Sequence, residues 1–258
     1  MPSQFPFQFM IDLSVVIPAY NEESRILPTL ESVHAFLNKN FPAFEIIVVN
    51  DGSRDSTSQV VTEFAKHHEG VRLIAYEVNK GKGYAVRVGM LAASGNLILM
   101  NDADGSSPIQ EVLRLKEAME NGADIVIASR AKEDPTRVVK ALAYRTYMGN
   151  TFNSIVQWLL LPGLKDTQCG FKLFKRPVAQ DIFSCSRIDG YAFDVEVLYI
   201  AKCRNYKIVE IAIDWTNVTG SKINVLVDSA KMLFQVIKVK ANSVSGHYRQ
   251  KTKAKALV

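Results

Sequence analysis

Phe44-Glu45-Ile46-Ile47-Val48-Val49, broken at once by Asn50-Asp51-Gly52-Ser53-Arg54-Asp55-Ser56-Thr57, is a near-continuous β-branched run that ends in a polar, turn-forming cluster. A run without polar alternation reads as a strand buried on both faces, as in a parallel sheet covered by crossover helices. The same pattern occurs twice more. Leu13-Ser14-Val15-Val16-Ile17 breaks at Pro18-Ala19-Tyr20-Asn21-Glu22-Glu23, and the apolar run Leu97 to Met100 leads directly into Asn101-Asp102-Ala103-Asp104-Gly105. Ligands of such sheets sit beyond the carboxyl ends of the strands, so three polar loops are expected around one crevice.

Between these strands, and two more near residues 71–76 and 124–128, helical patterns fall at about Ser24 to Lys39, Ser56 to His68, Gly83 to Ala93 and Pro108 to Asn121. Asp55 and Ser107 stand where N-caps are expected, the latter followed by Pro108 at the first helical position. Beyond Arg130 the pattern predicts a helical stretch from about Thr136 to Leu161, a helix near Ala192 to Cys203 and a strand near Lys207 to Ile213. An amphipathic run follows from Lys222 to Lys240, with Ile223, Leu226, Val227, Ala230, Leu233, Phe234 and Ile237 on one helical face. After Asp228 the chain has no acidic residue. Such a helix and tail suit an anionic bilayer surface; an apolar stripe packed on the core, with a frayed basic end, suits the pattern equally.

A chain of 258 residues, 48% apolar and 22% charged, is large enough for one α/β domain with a substantial core. The expected organisation is a single domain over 1–240 and a basic tail over 241–258. No stretch approaches the roughly 18 apolar residues of a membrane span, and Met1 to Met10 lacks the features of a signal peptide. Cys169, Cys185 and Cys203 form neither a disulfide framework nor a metal-type spacing, which favours a reducing, cytoplasmic setting. His34, His67, His68 and His247 give no zinc pattern. The basic tail lacks interleaved aromatics, so no nucleic-acid partner is expected.

Asp102 and Asp104 carry the chemistry the spacing suggests. Magnesium and manganese favour oxygen ligands and keep positions for water and substrate phosphate, so one or two carboxylates suffice. A turn bearing two solvated carboxylates would read the same way. Asn79-Lys80-Gly81-Lys82-Gly83 precedes a helix, where glycines let backbone approach a ligand and lysines face a diphosphate. Dinucleotide and P-loop fingerprints are absent.

In their order, P-A-Y-N-E-E, V-V-N-D-G-S-x-D-x-T, N-K-G-K-G and D-A-D resemble the inverting family-2 glycosyltransferases of the GT-A fold, an α/β architecture with a mostly parallel central sheet flanked by helices. The later segments Asp166-Thr167-Gln168-Cys169-Gly170-Phe171-Lys172-Leu173-Phe174, Phe193-Asp194-Val195-Glu196, and Trp215 with Gly220-Ser221-Lys222 resemble the branch that glycosylates dolichyl phosphate. The resemblance implies a nucleotide-sugar site at Pro18, Ala19, Tyr20, Glu22, Asp51, Ser53, Lys80, Gly81, Asp102, Ala103 and Asp104. It implies Mg2+ or Mn2+ at Asp102 and Asp104, with Asp104 the stronger ligand. Where relatives that transfer mannose continue D-A-D with L-Q-H-P, this chain has Gly105-Ser106-Ser107-Pro108, which points toward glucosyl transfer and leaves a third ligand open.

A polyprenyl phosphate is already anionic and needs mainly a charge-matched cradle, for which Arg130, Arg145 and Lys222 are the candidates. Asp166 is the leading catalytic carboxylate on the acceptor side, ahead of Asp194 and Glu196, either as base or as an orienting group. Trp215 suits packing over the sugar or filling the core edge. The expected reaction is transfer of glucose from UDP-glucose to a dolichyl or polyprenyl phosphate with inversion, by an enzyme peripheral to the cytosolic face of a membrane. Mannosyl or N-acetylglucosaminyl transfer, a polysaccharide acceptor, and a non-catalytic nucleotide-sugar-binding scaffold are the alternatives.

Overall fold

The computed structural model describes residues 11–140, 153–218 and 225–248. Its strands are β1 (Leu13–Ala19), β2 (Phe44–Asp51), β3 (Val71–Tyr76), β4 (Leu97–Asn101), β5 (Ile125–Ser129), β6 (Val139–Lys140), β7 (Phe171–Lys175), β8 (Ile208–Ala212) and β9 (Trp215–Thr216). The helices are α1 (Ile26–Asn40), α2 (Thr57–His67), α3 (Lys82–Ala92), α4 (Val112–Glu120), α5 (Arg176–Cys185), α6 (Phe193–Cys203) and α7 (Val225–Val244), with a further helical segment at 153–159.

Seven strands form one sheet in the order β3-β2-β1-β4-β7-β5-β8. The two neighbours of β1 are β2 and β4, both parallel to it, with Ala19 level with Asn50 and Val16 level with Met100. The chain therefore crosses over to one side after β1 and returns to the other at β4, which opens a crevice at their carboxyl ends. Successive residues of β1 point to opposite faces: Val15 and Ile17 enter a core with α1, α2 and α4, while Val16 enters one with α3, α5, α6 and α7. Both faces are buried, as the unbroken Val/Ile runs require.

The sheet differs from the expected pattern at β7, which lies antiparallel between β4 and β5. Phe-Lys-Leu-Phe-Lys hides the strand behind a charge. Lys172 is nonetheless buried, because its ammonium lies 2.5 Å from Asp194 of α6 and donates to the Cys169 carbonyl at 2.6 Å.

Three expected boundaries also move. Val139–Lys140 forms a strand rather than helix, pairing in parallel with Trp215–Thr216 in a second, two-stranded sheet. Val138 is fixed there by its amide on Asp214 at 2.8 Å and its carbonyl on Trp215 at 2.9 Å. Pro108 is extended at ψ 132° and stands before a 3-10 turn at Ile109–Glu111, so it caps rather than begins the helix. Ser56 takes the N-cap position of α2, while Asp55 accepts the Thr57 amide at 3.0 Å.

The expected tail boundary after residue 240 falls inside α7. The chain stays tied to the core as far as Tyr248, which is buried and donates its hydroxyl to Glu196 at 2.6 Å. Among the described residues, no helix is long and apolar enough to cross a membrane.

Candidate active site

The loops after β1 and β2 are fastened to each other. The Asn21 amide donates to Ser53 Oγ at 2.8 Å, the Arg54 amide to Asn21 Oδ1 at 2.8 Å, and the Glu22 amide to Thr57 Oγ1 at 2.8 Å. Asn21 takes a left-handed φ of 53°, a conformation that short polar side chains tolerate best after glycine. Pro18 and Ala19 complete β1, and Tyr20 leaves the sheet with its ring partly exposed. The Glu22 carboxylate is held by both arms of Arg25 at 2.7 Å. Burial opposes the charge on Arg25, but Glu22, with Asp104 and Asp102 behind it, outweighs burial and raises its pKa. This guanidinium links the first loop to the carboxylate pair.

Asp51 shapes the third loop. Its Oδ1 accepts the Lys80 amide at 2.8 Å, and its Oδ2 accepts Asn79 Nδ2 at 2.8 Å and the Gly81 amide at 2.9 Å. The Lys80 ammonium lies over the Tyr84 ring, 4.6 Å from its centre. Gly81, at φ 103°, is required by packing: a Cβ there would meet the Asp189 carbonyl oxygen at 2.4 Å. That same oxygen caps the start of α3 by accepting the Gly83 amide at 2.7 Å.

Asp102 and Asp104 follow β4 as expected, and they differ. Asp102 lies 2.6 Å from Lys82 Nζ through Oδ1, a buried oxygen in an ion pair without hydrogen-bond geometry. Its amide donates to the Gly170 carbonyl at 3.0 Å. Burial opposes the Lys82 charge, but Asp102 and then Asp194 hold its pKa above the ordinary lysine value. Asp104 accepts the Ser106 amide at 3.0 Å and lines a cavity of about 350 Å3 with Ser24, Arg25, Thr29, Asn101 and Ser107. Between them, Ala103 is buried and its carbonyl accepts Thr29 Oγ1 at 2.9 Å. Carboxylates of this kind are the oxygen ligands a hard divalent ion takes together with phosphate and water, and here Asp104 faces the cavity while Asp102 Oδ1 faces the Lys82 ammonium. No cluster of three or more metal-ligating side chains occurs among the described residues.

On the other side of β4 the two leading acceptor-side candidates prove to be partners. Arg130 donates through Nε and Nη2 to Asp166 at 2.7 and 2.9 Å, and its amide adds a third bond at 3.0 Å. The Gln168 amide takes Asp166 Oδ1 at 3.1 Å. Burial disfavours the Asp166 charge, but Arg130 overrides it and lowers the pKa. A carboxylate so engaged orients a guanidinium and is a poor proton acceptor. The Arg130 guanidinium lies 5.4 Å from the Trp215 ring. The alternative carboxylates are also occupied. Asp194 pairs with Lys172, and Glu196 accepts the Arg187 and Ile188 amides and the Tyr248 hydroxyl. Burial, followed by the nearby Asp166 charge, pushes the Cys169 thiol up to about 12, so it is no nucleophile at neutral pH.

Arg145 and Lys222 lie outside the described residues. Sequence reasoning did not single out Arg25, Gly170 or Glu210. The last fixes the segment that carries Asp166 by accepting the Asp166 amide at 2.7 Å and the Lys165 amide at 2.9 Å. Gly170, directly before a buried strand, was the one signal available for them.

The sequence profile of glycosyl transferase family 2 matches residues 14–183. The chain belongs to glycosyl transferase family 2. Among family-2 relatives, the dolichyl-phosphate beta-glucosyltransferase of Dictyostelium discoideum is 37% identical over 254 residues, which is 94% of this chain and 78% of that protein. The human dolichyl-phosphate beta-glucosyltransferase is 39% identical over 224 residues, covering 82% of this chain and 69% of the relative. The fold matches glucosyl-3-phosphoglycerate synthase from Mycobacterium tuberculosis in complex with Mn2+, UDP and glucosyl-3-phosphoglycerate, at a TM-score of 0.68 and 19% identity over 89% of this chain and 80% of that one. The expected family-2 architecture is thus borne out, with a seven-stranded, mostly parallel sheet.

Proposed function

We propose that this family-2 glycosyltransferase moves a glucosyl group from UDP-glucose to dolichyl phosphate or a related polyprenyl phosphate, inverting the anomeric carbon. The closed pair of Asp166 and Arg130 carries the reading. A sugar hydroxyl would need a general base near its proton, whereas each acceptor-side carboxylate named above is already engaged. A phosphate monoester is ionised at neutral pH and needs no such base. The relatives named for dolichyl-phosphate glucosylation support the same acceptor.

In this reading a phosphate oxygen of the lipid forms the new bond to the anomeric carbon as the bond to the diphosphate oxygen breaks, and the electron pair leaves with UDP. Asp166 presets Arg130 so that its guanidinium meets the acceptor phosphate without a search over rotamers. Tyr20, Asp51 and Ser53 shape the nucleoside side, and Glu22 acts there through Arg25. Lys82 sets the orientation of Asp102. Asp104, with Asp102, would hold Mg2+ or Mn2+, which when bound supplies charge neutralisation at the departing diphosphate. The lipid acceptor implies work at a bilayer surface, which we assign to the cytosolic face.

A donor panel tests the proposal. UDP-glucose, GDP-mannose and UDP-N-acetylglucosamine are each incubated with and without polyprenyl phosphate. Organic-soluble product from UDP-glucose and lipid phosphate together is expected. Product from another donor, or transfer only to sugar hydroxyls, would overturn it, and binding without turnover would identify a scaffold.

A further inference from the structure

Helix α7 is apolar on more than one side, and the structure divides its residues between core and solvent. Met232, Val236 and Val239 are buried, whereas Leu233, Phe234, Ile237 and Val244 are 39%, 70%, 58% and 77% exposed. At about 100° per residue, Leu233, Ile237 and Val244 fall within about 40° of one another, with Phe234 roughly 60° beyond Ile237. Exposed Lys240 lies on one flank of this ridge and exposed Lys231 and Lys238 on the other. Nearby in the fold, Val156, Leu160 and Leu161 enter the same core as Met232 and Val236, and the segment that carries them exposes Trp158 to 85%. Leu226, Val227 and Ala230 of the expected apolar face lie outside the residues whose side chains are described.

We infer that the Leu233, Phe234, Ile237 and Val244 ridge seats in the interface of an anionic bilayer, with Lys231, Lys238 and Lys240 against the headgroups. The occupant follows from charge and position. An apolar strip bordered by lysines, on a chain with no acid after Asp228, complements an anionic membrane surface. Its inner face touches the acceptor side of the site, because Gln168, two residues after Asp166, donates to Met232 Sδ at 3.9 Å. A lipid phosphate drawn past α7, from the ridge to its inner face, would meet the segment that carries Asp166, the partner of Arg130. This last step rests on the polyprenyl-phosphate reading.

The test is cosedimentation of the full chain with phosphatidylcholine vesicles, with and without roughly a third phosphatidylserine, at low and high salt. The parent protein is expected to bind anionic vesicles, and to release them as salt rises. A Phe234→Ser/Ile237→Ser double variant is expected to bind at least about tenfold more weakly, while its Tm, its UDP-glucose affinity and its transfer to a short, water-soluble prenyl phosphate stay at parent values. Unchanged vesicle binding by the double variant, equal binding of the parent to neutral vesicles, or no binding at low salt would each overturn the inference. A parent dimer that the double variant abolishes would assign the ridge to a second copy instead. Failure of the parent to glucosylate the short acceptor would overturn the acceptor reading, and vesicle binding would still decide the ridge.

Discussion

Gly170 and Asp102 leave no room for a methyl group between them: a Cβ on Gly170 would lie 1.9 Å from Asp102 Oδ2. The glycine just before the antiparallel strand β7 thus leaves the room that the carboxylate following β4 occupies. Lys82 pairs with Asp102 Oδ1 at 2.6 Å. Gly170→Ala is expected to displace a side chain rather than backbone, leaving Tm nearly unchanged while kcat falls on the order of 10²-fold, the scale of an ångström-sized misplacement. Circular dichroism melts and steady-state kinetics on the same preparation separate the two effects.

Lys82→Met removes the ammonium paired with Asp102 and is expected to weaken UDP-glucose binding at least about tenfold, with Lys82→Arg restoring part of it. Isothermal titration with the nucleotide sugar measures both. Equal affinity in the Met variant would show that Lys82 plays no part in arranging the donor side.

Arg130→Ala leaves Asp166 buried without its main partner, a loss on the order of 3 kcal/mol by analogy with other broken buried pairs. The KM for lipid phosphate is expected to rise far more than that for UDP-glucose. Asp166 also predicts an acid dependence. Its folded pKa lies below the unfolded value of about 3.9, so its contribution is present above that value and is lost as pH falls through the lower folded pKa. In Arg130→Ala this part of the acid-unfolding profile should shift to higher pH.

Tyr248→Phe removes a hydroxyl that donates to buried Glu196 and is expected to cost about 1–3 kcal/mol in urea unfolding. Deleting residues 249–258 should cost far less, because it leaves this anchor in place.

Much of this was legible in the sequence, and the failures have physical causes. β1, β2 and β4 stand out because both of their faces are buried and their residues are apolar without alternation. Lys172 broke that signal in β7, since its compensating Asp194 is 22 residues away and only folding brings them together. The same holds for Arg130 and Asp166, separated by 36 residues: each was a candidate by its own type and position, and neither revealed that the other would occupy it. The glycines of N-K-G-K-G were read as room for a ligand; that they also accommodate the backbone around Asp189 depends on a segment far along the chain. On α7 the apolar residues surround enough of the helix that periodicity could not say which would face the core.

Glucosyl transfer to a lipid phosphate is measured by incubating the full chain with radiolabelled UDP-glucose, dolichyl phosphate and Mg2+ or Mn2+, then extracting with organic solvent. Label is expected in the organic phase, dependent on the lipid phosphate and the metal and lost in Asp104→Ala, with the variant's fold intact. Label confined to the aqueous phase, or transfer by Asp104→Ala at near the parent rate, would contradict this expectation.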